Sequence, residues 1–495
     1  MSKENSTFKS SLLLTAGRSV GFLATFFIPV VLVRVFDPVD FGTYRQLFLI
    51  FMTVFYAAQF GMAESLYYFM PKAPALSSRY IVNSIVALSC AGVVCLGLIV
   101  AGGSELSRLL NNAAISSHAL SLGVYTLLML VSAVLEIAMT ARKHYLWASV
   151  SYATSDTLRA MLLILPVFFF RDLKWLMLGA VGYAFVRCVV LIVYLRNDFK
   201  GEIRVDWTCL RSQLGYALPF GFAVVVGILQ TNLHQYSVSH YFDAATFAIY
   251  SVGCLQIPVV DFIMTPATSV MMVRMSERIG QGRTDGLLAM WHDMSRKLAL
   301  IFVPMVALLL LNARGIFVLL YTETYLRSVP IFMVWSGAIL FTTLPTDAVL
   351  RVFAQTRFLL ILNIISLVLI AVGIRWFLFR FGLMGAVSIT VLIAALSKGL
   401  ALVRVRSVLR VPMRQLLPWK SLFLILAVAA AACIPTVALT NQLSLPVIAS
   451  LLISGVVYSS VFLTLLFISG ALTEHEVVSL KGWMQRFTTF RLRTN

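Results

Sequence analysis

Charge is what this chain has least of. Only 12% of its 495 residues are Asp, Glu, Lys or Arg, about half the share found in a soluble domain. Acidic residues are the scarcer kind, 20 against 39 Lys and Arg, which leaves a net charge of +19. The six cysteines (Cys90, Cys95, Cys188, Cys209, Cys254 and Cys433) lack paired metal-ligand spacing, and the six histidines are scattered. No zinc site is therefore expected, and cysteines inside apolar stretches act as small apolar residues. Neither a phosphate-binding Walker loop nor a G-x-S-x-G elbow occurs, so ATP hydrolysis and serine-hydrolase chemistry have no foundation. Nothing in the chain calls for a cofactor, and the reading is of a non-enzyme.

Apolar residues fill the space that charge leaves. They make up 60% of the chain, and the mean hydropathy is +0.92. Short segments of alternating polarity, the signature of an outer-membrane barrel, are absent. Long runs near the ~20 residues that cross a bilayer as a helix recur throughout. The expected spans are Leu12–Val35, Gln46–Phe69, Ile81–Val100, Ala119–Met139, Tyr152–Phe170, Trp175–Leu195 and Leu214–Val238. They continue with Phe247–Met272, Leu298–Leu319, Val329–Leu350, Leu359–Phe377, Leu383–Val403, Leu422–Leu439 and Leu445–Ile468. This is an all-α polytopic membrane protein of about fourteen spans. No small-residue cleavage site follows a short apolar run at the start, so the first helix is expected to stay uncleaved.

The cations have a pattern. Most fall in alternate loops, for example Arg142/Lys143, Arg196/Lys200/Arg204/Arg211 and Arg404/Arg406/Arg410/Arg414/Lys420, while the opposite loops carry few, such as Arg45, Arg108, Arg171 and Arg327. That bias places both termini in the cytoplasm. The positive charge is thus a topology signal with some attraction to anionic lipid, and not a nucleic-acid footprint.

The chain also repeats itself. Phe36-Asp37, Phe41 and Tyr44 recur 206 residues on as Phe242-Asp243, Phe247 and Tyr250, and Gly179-Ala180-Val181 recurs at the same offset as Gly385-Ala386-Val387. Two homologous halves are expected, an N-terminal lobe over 1–205 and a C-terminal lobe over 206–410, followed by two additional helices and a tail over 411–495. Duplicated halves in a membrane chain suggest a transporter that rocks one lobe against the other around a central site.

Ionisable groups inside a bilayer are costly unless they face a protein interior or water, so each is a candidate. Arg18 either faces a central cavity or snorkels to the headgroups. Glu64, on the second span, suits a proton or cation relay, or a pairing with a cation. Glu136 sits close to Arg142 and Lys143 in an interfacial, structural position. Asp156 and Arg159 stand three apart and are able to pair; Arg159 also counts among the lumen cations. Arg187 and Lys398 have no acidic neighbour at helical spacing, which suits a phosphate-bearing substrate. Asp261, between Pro258 and Pro266, is either a moving part with a cation site or a cap on a broken helix. Asp347 is placed to pair with Arg351. Gln230-Thr231-Asn232-Leu233-His234-Gln235-Tyr236 puts polar groups into a span, either as interhelical glue or as partners for sugar hydroxyls. The expected substrate contacts are therefore Arg18, Arg159, Arg187, Lys398, Asn232, His234 and Gln235, with Glu64 and Asp261 for coupling or gating.

The span count, the repeat and two segments together resemble the multidrug/oligosaccharidyl-lipid/polysaccharide exporter superfamily. Val35-Phe36-Asp37-Pro38-Val39-Asp40-Phe41-Gly42-Thr43-Tyr44-Arg45-Gln46 looks like that superfamily's first outer loop. His234-Gln235-Tyr236 through Phe247-Ala248-Ile249-Tyr250-Ser251-Val252-Gly253 resembles the seventh-to-eighth-helix region of its polysaccharide flippases. The resemblance implies a Wzx-type flippase that moves an undecaprenyl-pyrophosphate-linked oligosaccharide across a bacterial inner membrane. It also implies H⁺ or Na⁺ as a coupling cation, with a glycan polymerase and chain-length regulator as partners. Where an acidic residue is often expected in the seventh helix, this chain has Asn232 and His234, so cation coupling through that position loses its support. The competing readings are a lipid II flippase, a drug/cation antiporter, which usually needs twelve spans, and a membrane glycan polymerase or ligase. The last would be expected to carry a sizeable outer loop, and the outer loops here are short.

Overall fold

A computed structural model describes the backbone of residues 2–198, 204–442 and 445–470, with side chains from residue 21 onward except at 441, and at 17 and 19 before it. The described chain is helical throughout and contains no strand. Among the described residues ten helices are long and apolar enough to cross a membrane, or eleven if a bent pair counts as one span. That pair is Ala244–Gly253 and Pro258–Gly280, bent by 46° at the break between them. Helical segments occupy all fourteen expected places, but the count by length and hydropathy is smaller, for two reasons. The helices Ser2–Val35 and Pro38–Gln59 fall outside the set that qualifies, and Thr356–Leu409 counts as one. That 54-residue helix nonetheless breaks at Gly382, whose φ of 56° and ψ of −141° lie outside the helical region and are open chiefly to glycine. Large side chains such as Phe169, Val372 and Phe379 are mostly exposed on the surface, as expected where the surrounding solvent is lipid.

The repeat has a structural counterpart at its first anchor. Asp37 and Asp243 both act as helix N-caps with nearly identical backbone angles, φ −69°, ψ 169° and φ −72°, ψ 168°. Each carboxylate accepts backbone N–H groups of the first turn, from Val39 and Asp40 in one case and Thr246 in the other. Phe41 and Phe247 are fully buried, as is Tyr250, and Tyr44 is nearly so. The two short helix starts also pack on each other, because Gly42 brings its backbone against the Ala244 carbonyl, where any Cβ would collide.

Packing divides the described chain into two units. One contains the residues through Phe262 together with Tyr321–Ile331 and Arg357–Ser397. The other contains Ile263–Leu320, Phe332–Thr356 and the described residues from Lys398 on. In the first unit, the helices Ser2–Val35 and Tyr145–Phe170 lie side by side, with Gly17 against Ser149 and Gly21 against the Asp156 carboxylate. Small residues at such crossings let helix backbones approach closely in a membrane. In the second unit, the helix Leu287–Leu311 packs on the final pair, Trp419–Gln442 and Val447–Ile468, through Ala299, Ile425, Ala432 and Tyr458. Buried Trp291 of that helix donates to the Leu416 carbonyl at 2.8 Å.

Candidate functional site

The first unit encloses a cavity of about 870 Å³. One face of the helix Pro38–Gln59 supplies a wall: Phe41, Tyr44, Arg45, Phe48, Met52 and Tyr56 recur at three- and four-residue steps. A second wall comes from the helix Trp207–Tyr241, where Val224, Gly227, Ile228, Thr231 and Gln235 share a face and Gln230 and Asn232 flank it. Ser251 enters from the last turn of Ala244–Gly253, Cys254 and Gln256 from the break before Pro258–Gly280, and Thr25, Arg159, Tyr321 and Asn363 complete the polar lining.

Two guanidinium groups face this space, and among the described residues no Asp or Glu lines it. The Nε atoms of Arg45 and Arg159 are buried and lack hydrogen-bond partners. Neither side chain closes an ion pair among the described residues. Arg159 stands over the Phe48 ring at 5.9 Å from its centroid, a cation–π contact that leaves its other donors free. Unpaired cations at membrane depth are tolerated only beside water or an anion. Around them the lining offers neutral hydrogen-bonding groups. Asn232 reaches the Thr53 hydroxyl at 3.3 Å, and the amides of Gln230 and Gln235 take no partner among the described residues.

The expected site residues divide. Arg159, Asn232 and Gln235 line the cavity. Arg159 does not pair with Asp156, whose carboxylate is packed on Gly21. Arg18 has a side chain outside the described residues. His234 does not line the cavity: it is buried, with Nδ1 at 2.7 Å from the Tyr250 hydroxyl, and its position is turned about 100° around the helix from Gln235.

Arg187 is likewise absent from the lining. It forms a bidentate pair with Glu136, Nη1 to Oε1 at 2.9 Å and Nη2 to Oε2 at 2.8 Å. It also donates to the Ser155 hydroxyl at 2.7 Å and to the Ser132 hydroxyl at 3.3 Å. Its carboxylate partner lies 51 residues away in the chain, beyond any helical-spacing test. Lys398, in the second unit, reaches the Thr346 hydroxyl at 3.0 Å and the Asp347 carboxylate at 3.6 Å. Asp347 therefore serves Lys398, a pairing across elements in place of the expected one with Arg351. Glu64 sits in the break after Pro38–Gln59, where Phe60 and Gly61 have φ of 44° and 70°. Its Oε2 is buried without a hydrogen-bond partner. Asp261 is exposed in the first turn of Pro258–Gly280, where a carboxylate complements the positive end of the helix dipole. Neither carboxylate lines the cavity.

Arg45 is the lining residue that sequence reasoning assigned elsewhere, to an outer loop. The signal was present: Asp37-Pro38 is an N-cap followed by proline at the first helical position, which starts the helix at Pro38 and carries Arg45 two turns inside.

Comparison with known proteins agrees with the fold. A family model described as polysaccharide biosynthesis protein matches residues 31–330. No curated protein sequence matches the chain. Among solved structures, the lipid II flippase MurJ in an inward closed conformation aligns with a TM-score of 0.68 at 14% identity, over 90% of this chain and 98% of that one. An inward-facing multidrug resistance MATE family transporter of the MOP superfamily aligns with a TM-score of 0.59 at 16% identity, over 79% and 95%. A MOP superfamily transporter from Pyrococcus furiosus, whose binding pocket is described as reversed in polarity, gives 0.60 at 15% identity, over 81% and 94%. These solved structures are transporters and flippases, and the expected resemblance to the superfamily holds at the level of the fold. This multi-pass membrane protein has the fold of the MOP-superfamily transporters and, with more than half its length matched, belongs to the family of polysaccharide biosynthesis proteins.

Proposed function

We propose that this protein is a flippase that carries an undecaprenyl-pyrophosphate-linked oligosaccharide across the bacterial inner membrane for surface polysaccharide synthesis. The observation that carries the reading is the cavity with Arg45 and Arg159 unpaired in its wall and no carboxylate among its described lining residues. A diphosphate cannot enter hydrocarbon without replacement for its lost hydration. Two guanidinium forks supply charge-assisted hydrogen bonds to phosphate oxygens. The amides of Gln230, Asn232 and Gln235 and the hydroxyls of Tyr44, Tyr56 and Thr231 suit sugar hydroxyls, and aromatic rings offer faces to the pyranose carbons.

Alternating access between two lobes, divided near 205 and 410 by the repeat, would move the headgroup without a continuous pore. Both termini would lie in the cytoplasm. A drug/cation antiporter is disfavoured by the same lining, which repels a cationic cargo. A lipid II flippase is its nearest rival, because that cargo is also a diphosphate-linked sugar. If H⁺ or Na⁺ drives transport, the cavity's described lining offers it no carboxylate, and Glu64 and Asp261 are the acidic groups left for that role. A glycan polymerase and a chain-length regulator would take the product at the outer face.

The test is purified protein in proteoliposomes loaded with defined lipid-linked sugars, scored by access of an external glycosidase. Translocation of an undecaprenyl-pyrophosphate oligosaccharide, reduced by Arg45→Ala and by Arg159→Ala, supports the reading. Preference for lipid II moves the assignment to the rival flippase. Glycan-chain extension in detergent, where no membrane separates two sides, would establish an enzyme instead.

A further inference from the structure

A second basic site lies in the other unit. The helix Thr356–Leu409 ends on Arg410, whose left-handed φ of 56° turns the chain while its N–H bonds back to the Arg406 carbonyl. Val411 N–H reaches the same carbonyl at 3.3 Å. This turn wraps Val403, Arg406, Ser407, Arg410, Val411 and Pro412 around a recess of about 550 Å³. The segment that follows is fixed from outside: Trp291 Nε1 donates to the Leu416 carbonyl at 2.8 Å and His292 Nε2 to the Gln415 carbonyl at 2.8 Å.

The recess is one-sided in charge. Arg406, Arg410, Arg414 and Lys420 are exposed, and none closes an ion pair among the described residues. In the sequence, no Asp or Glu occurs between Asp347 and Glu474. It is also one-sided in polarity along the helix. Leu400, Val403, Ser407 and Arg410 follow at steps of three and four and share one face, with Leu400 41% and Val403 53% exposed. An exposed apolar stripe thus runs into a cationic cup. Beyond the turn, Trp419 stacks on Phe423 at 6.1 Å, both exposed, as aromatic side chains do at headgroup depth.

We propose that this recess is a binding site for an anionic phospholipid, with the headgroup phosphate between Arg406 and Arg410 and an acyl chain along Leu400 and Val403. A free phosphate would use the arginines but leave the stripe without a role, and a zwitterionic lipid would bring a choline cation against them. Basic recesses between or beside membrane helices attract anionic headgroups by roughly a factor of five per Lys or Arg near the surface. The site is independent of the cavity around Arg45 and Arg159 and stands whatever cargo that cavity takes.

The experiment is native mass spectrometry of the full chain, delipidated in neutral detergent and titrated with palmitoyl-oleoyl phosphatidylglycerol or with phosphatidylcholine of the same chains. Retention of phosphatidylglycerol well above phosphatidylcholine is expected, falling about twenty-five-fold in Arg406→Gln/Arg410→Gln. Both side chains are exposed, so the variant should fold, and Arg406→Lys/Arg410→Lys should retain most of the binding. Arg274→Gln/Arg283→Gln, which removes equal charge from another exposed segment, should bind like the unaltered protein. An equal loss in that control would reduce the effect to diffuse charge and overturn the site. Equal retention of both lipids, or displacement of phosphatidylglycerol by glycerol phosphate at matching concentration, would overturn it as well.

Discussion

Arg159 and Arg187 occupy the same unit and are both withdrawn from the surface, yet their surroundings are opposites. Arg187 has its charge matched by Glu136 in two hydrogen bonds and its remaining donors taken by Ser155 and Ser132. Arg159 has a phenyl ring beneath it, a buried Nε without a partner and a cavity in front. Saturation is what a structural cation requires, because a buried charge left unpaired costs several kcal/mol. Unmet donors facing a cavity are what a binding cation requires, because the ligand must complete them. Being an arginine inside the membrane does not separate these roles; the partner list does.

The comparison breaks most sharply at Glu136. Glu136→Ala strands Arg187 and should destabilise the protein by about 3–5 kcal/mol, read as a large loss of inserted protein and of thermal stability in detergent. The double variant Glu136→Gln/Arg187→Met should recover much of that loss. If Glu136→Ala were neutral, the structural half of the comparison would collapse.

The reverse signature belongs to the cavity. Arg159→Ala and Arg45→Ala leave no carboxylate behind, so thermal stability should change by less than about 1 kcal/mol. Transport should fall roughly tenfold to a hundredfold, as expected when hydrogen bonds to a charged partner, about 1.5–3 kcal/mol each, are removed. A loss of folding in place of transport would return Arg159 to the structural class.

A smaller contrast lies on one helix. Gln235→Ala should reduce transport about two- to tenfold, the scale of a neutral hydrogen bond, with stability unchanged. His234→Ala should lower stability with little effect per folded molecule, because His234 is buried against Tyr250 and lies off the lining. Measuring both quantities for both variants separates the two faces.

The mildest effect concerns a pair near water. Asp206 caps the helix Trp207–Tyr241, and hydrogen bonds from the Cys209 backbone N–H and from Arg79 hold its carboxyl below the ordinary carboxylate range. A lowered folded-state value stabilises the fold above the ordinary carboxylate range, and that contribution is lost as pH falls through the folded value. Thermal stability should therefore decline on acidification below about pH 4. Asp206→Asn should flatten that decline and leave the cavity's transport rate unaffected.

Much of the fold could be read from the chain. The membrane-crossing helices were locatable because a helix must satisfy its own backbone hydrogen bonds in lipid, and this imposes long uninterrupted apolar runs. The repeat was visible because Asp37 and Asp243 perform the same capping task with the same local residues. The site was legible only in part. Helical spacing found Asn232 and Gln235 but included His234, since adjacent residues point to different faces and the cavity-facing one cannot be chosen without neighbours. Arg187 and Lys398 were read as lone cations because their partners, Glu136 and Asp347, come from other elements.

By itself, the sequence determined that this chain lives in a membrane, is built of helices and repeats its frame, because those properties rest on hydrophobicity and local hydrogen bonding. The tertiary structure decided which charges are satisfied and which are offered to a ligand. Pairing depends on distances across helices far apart in the chain: Arg187 is locked to the Glu136 carboxylate at 2.8 Å, while Arg159 closes no ion pair among the described residues and still has bonds to give.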